Sequence, residues 1–417
     1  MLKTIFNNSF LRNVSTLASG TIISQIVVVL SSTVLSRLFS VADFGELSVF
    51  TSFTVFFAVL STGRYEQAIV LSKGINDAYK IVKLIFWIAT AICSVYFITV
   101  VYFKLFYGGE INLTFLKSRT AYYSPFYIFS LAILSSLGYF FLRENKYKII
   151  TVANSLQVIS TTVFSIFFGF LKVHDGMIIS MIIGACTAVV YYLSRGKALV
   201  KNVFASENVK EIGLRYISFP KYMTFSDMSL TASQQFIPVL FSILYSSTIV
   251  GFFSMANRMI RLPNILITSA VGNVFRNEAM QQIREEGNCA KLYNSTFKKL
   301  LIISLPAFLF IFLISPVAFR VFFGENWVEA GNYARVLCIM LFSEFISSPL
   351  NVIFTIREQQ KKFMYLQILN MIIGSILIYA GKYYFESPLY SLLLFSCSGL
   401  LFNMIFLYSS YKLAKDV

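Results

Sequence analysis

Apolar stretches long enough to cross a lipid bilayer recur along this whole chain, with turn or charge signals between them. A bilayer core of roughly 30 Å needs about 20 mainly apolar residues in helical form, and about twelve such runs can be placed here. They lie at 14–35, 44–62, 81–103, 122–142, 149–171 and 177–193. A longer polar segment from Arg195 to Lys221 follows, then runs at 222–245, 248–271, 300–323, 333–356, 363–380 and 389–411. Lipid offers backbone groups no hydrogen-bond partners, so each run must satisfy its own as a helix. The runs are continuous in character, whereas a barrel would show spans of about 10 residues alternating in polarity. The composition agrees, with 57% hydrophobic and 13% charged residues, against roughly 25% charged in soluble domains. A soluble enzyme, a disordered chain and a disulfide-stapled secreted module are excluded. The expected fold is an all-α polytopic membrane protein.

An even number of spans puts both termini on one side, and charge says which. Of 35 Lys and Arg, 25 fall on the face shared with the termini and 8 on the opposite face. The positive-inside bias therefore places both termini in the cytoplasm. This sorting also absorbs most of the net charge of +16, which on a soluble protein would suggest nucleic acid; no nucleic-acid partner is expected. The first apolar run lacks a short hydrophobic region followed by a small-residue cleavage site, so no cleaved signal is expected.

The chain also repeats. At a shift of 206 residues Ser36, Gly45 and Ser48 fall on Ser242, Gly251 and Ser254. At 216, Lys83, Lys104 and Gly108 fall on Lys299, Arg320 and Gly324; at 214, Arg143 and Glu144 fall on Arg357 and Glu358. Six spans per repeat make the halves run in the same direction, giving two parallel six-helix bundles around a central cavity. That is one of the two common transporter plans. The expected lobes are 1–205 and 206–417.

Two basic residues are not explained by topology. Arg258 lies about ten residues into its span, roughly 15 Å deep at 1.5 Å per residue, and Arg261, three positions on, shares its face. A central intramembrane arginine costs about 2.5–3.5 kcal/mol on insertion scales, so both should meet a polar cavity or a partner. Arginine presents a planar fork suited to phosphate, which makes an anion site the functional reading. The structural reading is an ion pair with Asp227 or Glu344, the carboxylates inside spans seven and ten. Those two could instead couple transport to an ion. Arg64 either lies within a second span extended to Leu71 and joins the basic site, or follows a span that stops at Thr62 and serves as a cytoplasmic anchor. Arg37 and Asp43 flank a tight turn where a structural role is expected. The lone histidine, His174, reads as a polar loop residue. Cys93, Cys186, Cys338 and Cys397 lie in spans and Cys289 in a loop, giving neither a disulfide framework nor zinc spacing. No phosphate loop or serine nucleophile motif occurs, and no catalytic residue, metal or cofactor is expected.

Several stretches resemble the polysaccharide flippases of the MOP superfamily, specifically the O-antigen (Wzx-type) transporters. The resemblance rests on Gly20, Gln25, Leu35 to Ser40 and Asp43-Phe44-Gly45, on Arg64-Tyr65-Glu66-Gln67-Ala68-Ile69, and on Arg215-Tyr216 and Phe219-Pro220. Gly251, Ala256, Arg258 and Leu262-Pro263 carry it onward, as do Gly324, Trp327, Ala330-Gly331 and Tyr333-Ala334. It implies a non-enzymatic protein of the bacterial inner membrane. Such a protein moves a polyprenyl-pyrophosphate-linked oligosaccharide from the cytoplasmic to the periplasmic leaflet by alternating access. A polysaccharide polymerase and a chain-length regulator are the implied partners beside the lipid bilayer and the lipid-linked substrate. Arg258, Arg261 and Arg64 are the positions that would supply the cationic site. A multidrug-cation exporter of the same fold should show a net acidic cavity. A membrane polysaccharide polymerase should show a large periplasmic loop, and the longest here is about 18 residues.

Overall fold

The computed structural model describes residues 9–106, 118–196 and 199–415. Lys3, Gly108, Lys117 and Lys197, used in the sequence comparison and charge count, lie outside them. All regular structure among the described residues is helical. The first helices are α1 (Ser9–Leu38), α2 (Val41–Thr62), α3 (Tyr65–Leu71) and α4 (Ile75–Phe106). They are followed by α5 (Ser124–Arg143), α6 (Tyr147–Phe170), α7 (Gly176–Arg195), α8 (Leu199–Ala205) and α9 (Val209–Arg215). The remainder are α10 (Thr224–Leu244), α11 (Ser247–Glu286), α12 (Ala290–Phe323), α13 (Val328–Leu350), α14 (Val352–Ile356), α15 (Gln360–Phe385) and α16 (Pro388–Lys415). Each apolar run expected from the sequence lies on one of these, the tenth being divided between α13 and α14.

Nine spans among the described residues are long and apolar enough to cross a membrane, and the chain is a multi-pass membrane protein. The three expected runs outside this set are α1, whose apolar stretch is the shorter Ser24–Leu38, and α10 and α11, which polar side chains interrupt. Asp227, Ser229, Ser233 and Gln234 stand along α10, and Asn257, Arg258 and Arg261 along α11. Of these, α11 is the span to which the sequence assigns both intramembrane arginines, and α10 the one to which it assigns Asp227.

Two compact units meet between Ile243 and Leu244. In the first, α5 is the hub, packing on α2, α3, α4 and α7, while α6 lies against α1 and α7. In the second, α13 is the hub, packing on α11, α12 and α16, while α15 lies against α16. The fourth span of each repeat is thus the centre of its unit, as a duplicated bundle requires. The division by packing falls later in the chain than the lobe boundary at 205/206. Side chains of α10 explain this, because they bond within the first unit: Ser52 Oγ donates to Gln235 Oε1 at 3.2 Å.

Local signals fix the helix ends. Ser40 caps α2 in a reciprocal capping box with Asp43, and Asp43 also meets the imidazole of His174. The turn expected to be structural is therefore so, and it ties the α6–α7 loop to the start of α2. Close helix approach is enforced where a side chain would not fit. A Cβ on Gly331 of α13 would lie 2.4 Å from the Cα of Pro316 in α12. The motif preceding α13 is a packing device as well: the Trp327 ring is buried and stands edge-on to Phe252 of α11 at 6.3 Å.

The polar segment after α7 is folded. It forms α8, α9 and a wide π-type turn over Phe219–Met223. Leu199, Val203 and Ile212 bury themselves with Ile81 and Ile85 of α4.

Candidate substrate-binding site

Each unit gathers charged side chains within its spans, and each is considered alone. In the first, α2 ends at Thr62 because Gly63 and Arg64 both take left-handed backbone angles, φ 54° and 56°. Glycine adopts this freely, whereas for an arginine it costs about 1–2 kcal/mol. Strain of this kind persists where surrounding contacts over-determine it, and here they do. Arg64 Nε lies 2.7 Å from Asp227 Oδ2 of α10, and its Nη1 donates to Glu66 Oε1 at 3.1 Å. Arg64 is about three-quarters buried, and Glu66 is 1% exposed with its Oε2 lacking a hydrogen-bond partner. Tyr139 of α5 lies within electrostatic reach of all three. The helix therefore breaks as one sequence reading expects, yet Arg64 is enclosed as the other expects. The cluster carries two carboxylates on one guanidinium.

In the second unit the balance is reversed. Arg261 and Glu344 face each other as a fork, with Nη1 donating to Oε1 at 2.6 Å and Nη2 to Oε2 at 3.0 Å. The third edge of the guanidinium is taken by Asn257 Oδ1, which accepts from Nε at 2.8 Å. Arg261 is thus neutralised and held by its own helix and by α13. Arg258, one turn earlier, has an exposed side chain although Met255, Ala256 and Ile260 around it are buried. Among the described residues it has no hydrogen bond and no ion pair. Asp227 and Glu344, the two carboxylates from which its partner was expected, are held by Arg64 and Arg261 respectively.

Further polar groups line the interior of this unit. Ser347 Oγ donates to Asn403 Oδ1 at 2.7 Å, and Asn403 Nδ2 donates to Ser343 Oγ at 3.1 Å. Asn264 Nδ2 reaches the Leu341 carbonyl at 3.3 Å, leaving its Oδ1 buried without a partner. The α11–α13–α16 contact is therefore a polar seam beside the Arg261–Glu344 pair. No group of acidic, histidine or cysteine residues able to hold a metal occurs among the described residues.

Glu66 is the functional candidate that sequence reasoning missed. Its signal was an acidic residue two positions from Arg64 at a helix break, within a stretch already singled out. Charge count alone could not show that both acids would face one arginine.

A protein-family description, "Polysaccharide biosynthesis protein", matches residues 34–332. None of the curated proteins matches the sequence significantly. Solved structures do match in shape. Lipid II flippase MurJ in an inward closed conformation has a TM-score of 0.70 at 16% identity, over 94% of this chain and 87% of that one. An inward-facing multidrug resistance MATE transporter of the MOP superfamily has a TM-score of 0.65 at 14% identity, over 93% of each chain. A MOP superfamily transporter from Pyrococcus furiosus, described by the reverse polarity of its binding pocket, has 0.55 at 14% identity, over 97% of this chain and 96% of that one. At these identities the likeness is one of fold.

Proposed function

The chain belongs to the polysaccharide biosynthesis protein family, and from that premise we propose that it flips a polyprenyl-pyrophosphate-linked oligosaccharide. The cargo in this reading is the repeat unit of an O-antigen or similar surface polysaccharide, carried from the cytoplasmic to the periplasmic leaflet of a bacterial inner membrane by alternating access. Family and fold are those of transporters rather than enzymes. The observation that carries the proposal is Arg258, an exposed and uncompensated cation about three turns into α11, beside a carboxylate that is already neutralised. An intramembrane charge left in that state is costly, and a pyrophosphate offers it the bidentate partner it lacks.

In this reading Arg258 binds the pyrophosphate first. Arg261 exchanges Glu344 for a phosphate oxygen as the site loads, and that carboxylate reclaims it on release. The polyprenyl chain stays in lipid. A multidrug-cation exporter is the rival, since a MATE transporter shares the fold. The Arg64 cluster of the first unit, two carboxylates on one guanidinium, has the sign that rival calls for; the uncompensated Arg258 of the second unit is what favours an anion.

Arg258→Ala should abolish surface polysaccharide while the protein still inserts, and Arg258→Lys should retain part of the activity because the point charge remains without the fork. Normal glycan display from a stably inserted Arg258→Ala protein would refute the anion site.

A further inference from the structure

The segment between α7 and α10 presents two faces, and the packing accounts for one of them. Its inner face is fully engaged. Lys83 Nζ of α4 donates to the carbonyls of Phe204 and Ser206 at 2.9 and 2.7 Å. Tyr65 Oη donates to the Gly213 carbonyl at 2.9 Å, and Arg215 Nη1 to Asp77 Oδ2 at 3.3 Å. Leu199, Val203 and Ile212 are buried in the first unit's core. The segment is thus pinned in place, and its outer face is not waiting to fold inward.

That outer face combines large apolar side chains with lysines; of its two exposed acids, Glu207 and Glu211, the second is paired with Arg215 at 3.6 Å. Val200 and Phe204 lie four apart on α8 beside exposed Lys201, and Leu214 lies four from exposed Lys210 on α9. Ile217, Lys221 and Tyr222 continue the alternation, with Lys221 Nζ 5.2 Å from the Tyr222 ring. Phe204 is 50% exposed and Leu214 62%. Single exposed apolar residues are ordinary on a surface, but such a run interleaved with cations marks an interaction site. Its height relative to the membrane is also given, because the Phe204 ring stands edge-on to Phe86 of the α4 span at 5.5 Å. The segment lies at the level where spans leave lipid, on the side to which the charge bias assigns the cytoplasm.

We propose that residues 199–223 form an in-plane membrane-surface element, with the apolar side chains in the acyl boundary and Lys201, Lys210 and Lys221 on the phosphates of anionic phospholipids in that leaflet. Amphipathic segments of this composition bind by buried apolar area plus attraction to anionic lipid. Each lysine close to such a surface contributes a preference of about fivefold. The element is independent of the transported substrate.

The full-length protein would be reconstituted in nanodiscs of phosphatidylcholine alone or with phosphatidylglycerol, and amide hydrogen exchange followed over 199–223. Exchange should slow several-fold with phosphatidylglycerol. The difference should shrink in high salt and diminish with each lysine replaced in Lys201→Gln, Lys210→Gln and Lys221→Gln. These positions make none of the bonds that pin the segment, and the salt series on the unaltered protein reads the same effect without substitution. Equal exchange in both lipids would overturn the proposal. So would protection that the substitutions and salt leave unchanged, or protection appearing only when a soluble protein is added.

Discussion

Neutralising Glu344 tests how the second unit divides its two arginines. The Arg261–Glu344 fork has bonds of 2.6 and 3.0 Å, with the side chains 34% and 29% exposed. Breaking a fully buried pair costs about 3–5 kcal/mol because one charge is left stranded, whereas a solvent-exposed pair contributes about 0–1 kcal/mol. With roughly a third of each side chain accessible, and Asn257 still holding Nε, Glu344→Gln should destabilise by about 2 kcal/mol. For a unit the size of Leu244–Val417, that corresponds to a fall of about 4–8 °C in Tm. Arg261→Leu should cost a similar amount, and the double variant less than the two together, since neither charge is then left alone. The assay is a double-mutant cycle on thermal unfolding of the purified protein. A second readout separates function from stability. Glu344→Gln frees the Arg261 charge beside Arg258, so pyrophosphate-bearing polyprenyl lipid should bind more tightly while turnover slows. Strictly additive destabilisation, or unchanged affinity in a folded Glu344→Gln protein, would refute the view that Glu344 is what holds Arg261 in reserve.

Other perturbations follow from single contacts. Gly331→Ala would put a Cβ against the Pro316 backbone at 2.4 Å, so it should cost about 1–3 kcal/mol as overpacking, read as lowered Tm and yield. Tyr65→Phe leaves the buried Gly213 carbonyl without its donor; a loss of about 1–3 kcal/mol should appear locally, as faster proteolysis between α9 and α10. Cys289 is buried, and burial raises its thiol pKa despite the nearby Arg357. Its thiolate fraction is therefore low at neutral pH. Mass spectrometry should find alkylation slow at pH 7–8, faster as pH rises, and complete on unfolding in detergent. Asp43→Ala removes the capping box of α2 and the contact to His174, which should lower Tm by the equivalent of about 1 kcal/mol.

The helices were legible because lipid imposes a local rule: each span must be apolar and must pair its own backbone. The same rule made Arg258 and Arg261 conspicuous. What the sequence left open was which acid meets which arginine, because that depends on helices far apart in the chain. Asp227 and Glu344 read alike, yet one holds Arg64 and the other Arg261. Arg258 and Arg261 also read alike, sharing a helix face, and the structure separates them into a free cation and a tethered one. The repeat was visible, but its register at one turn was a residue off. The left-handed residues that follow α5 and α14 are Asn145 and Glu358, so Glu144 rather than Arg143 stands opposite Arg357. Matching arginines drew the alignment towards chemical identity, while the turn is set by backbone geometry.

The polarity of α10 has a consequence for how the protein is made. A helix carrying Asp227 in its first turn and two adjacent glutamines at its middle is a poor candidate to leave the translocon for lipid unaided, since each polar side chain weakens its partition into lipid. Its polar side chains find partners on helices synthesised much earlier, Gln235 on Ser52 and Asp227 on Arg64. Biogenesis must therefore be ordered: α2 is threaded and waiting before α10 is admitted, and the residues that receive α10 act first as chaperones within the chain.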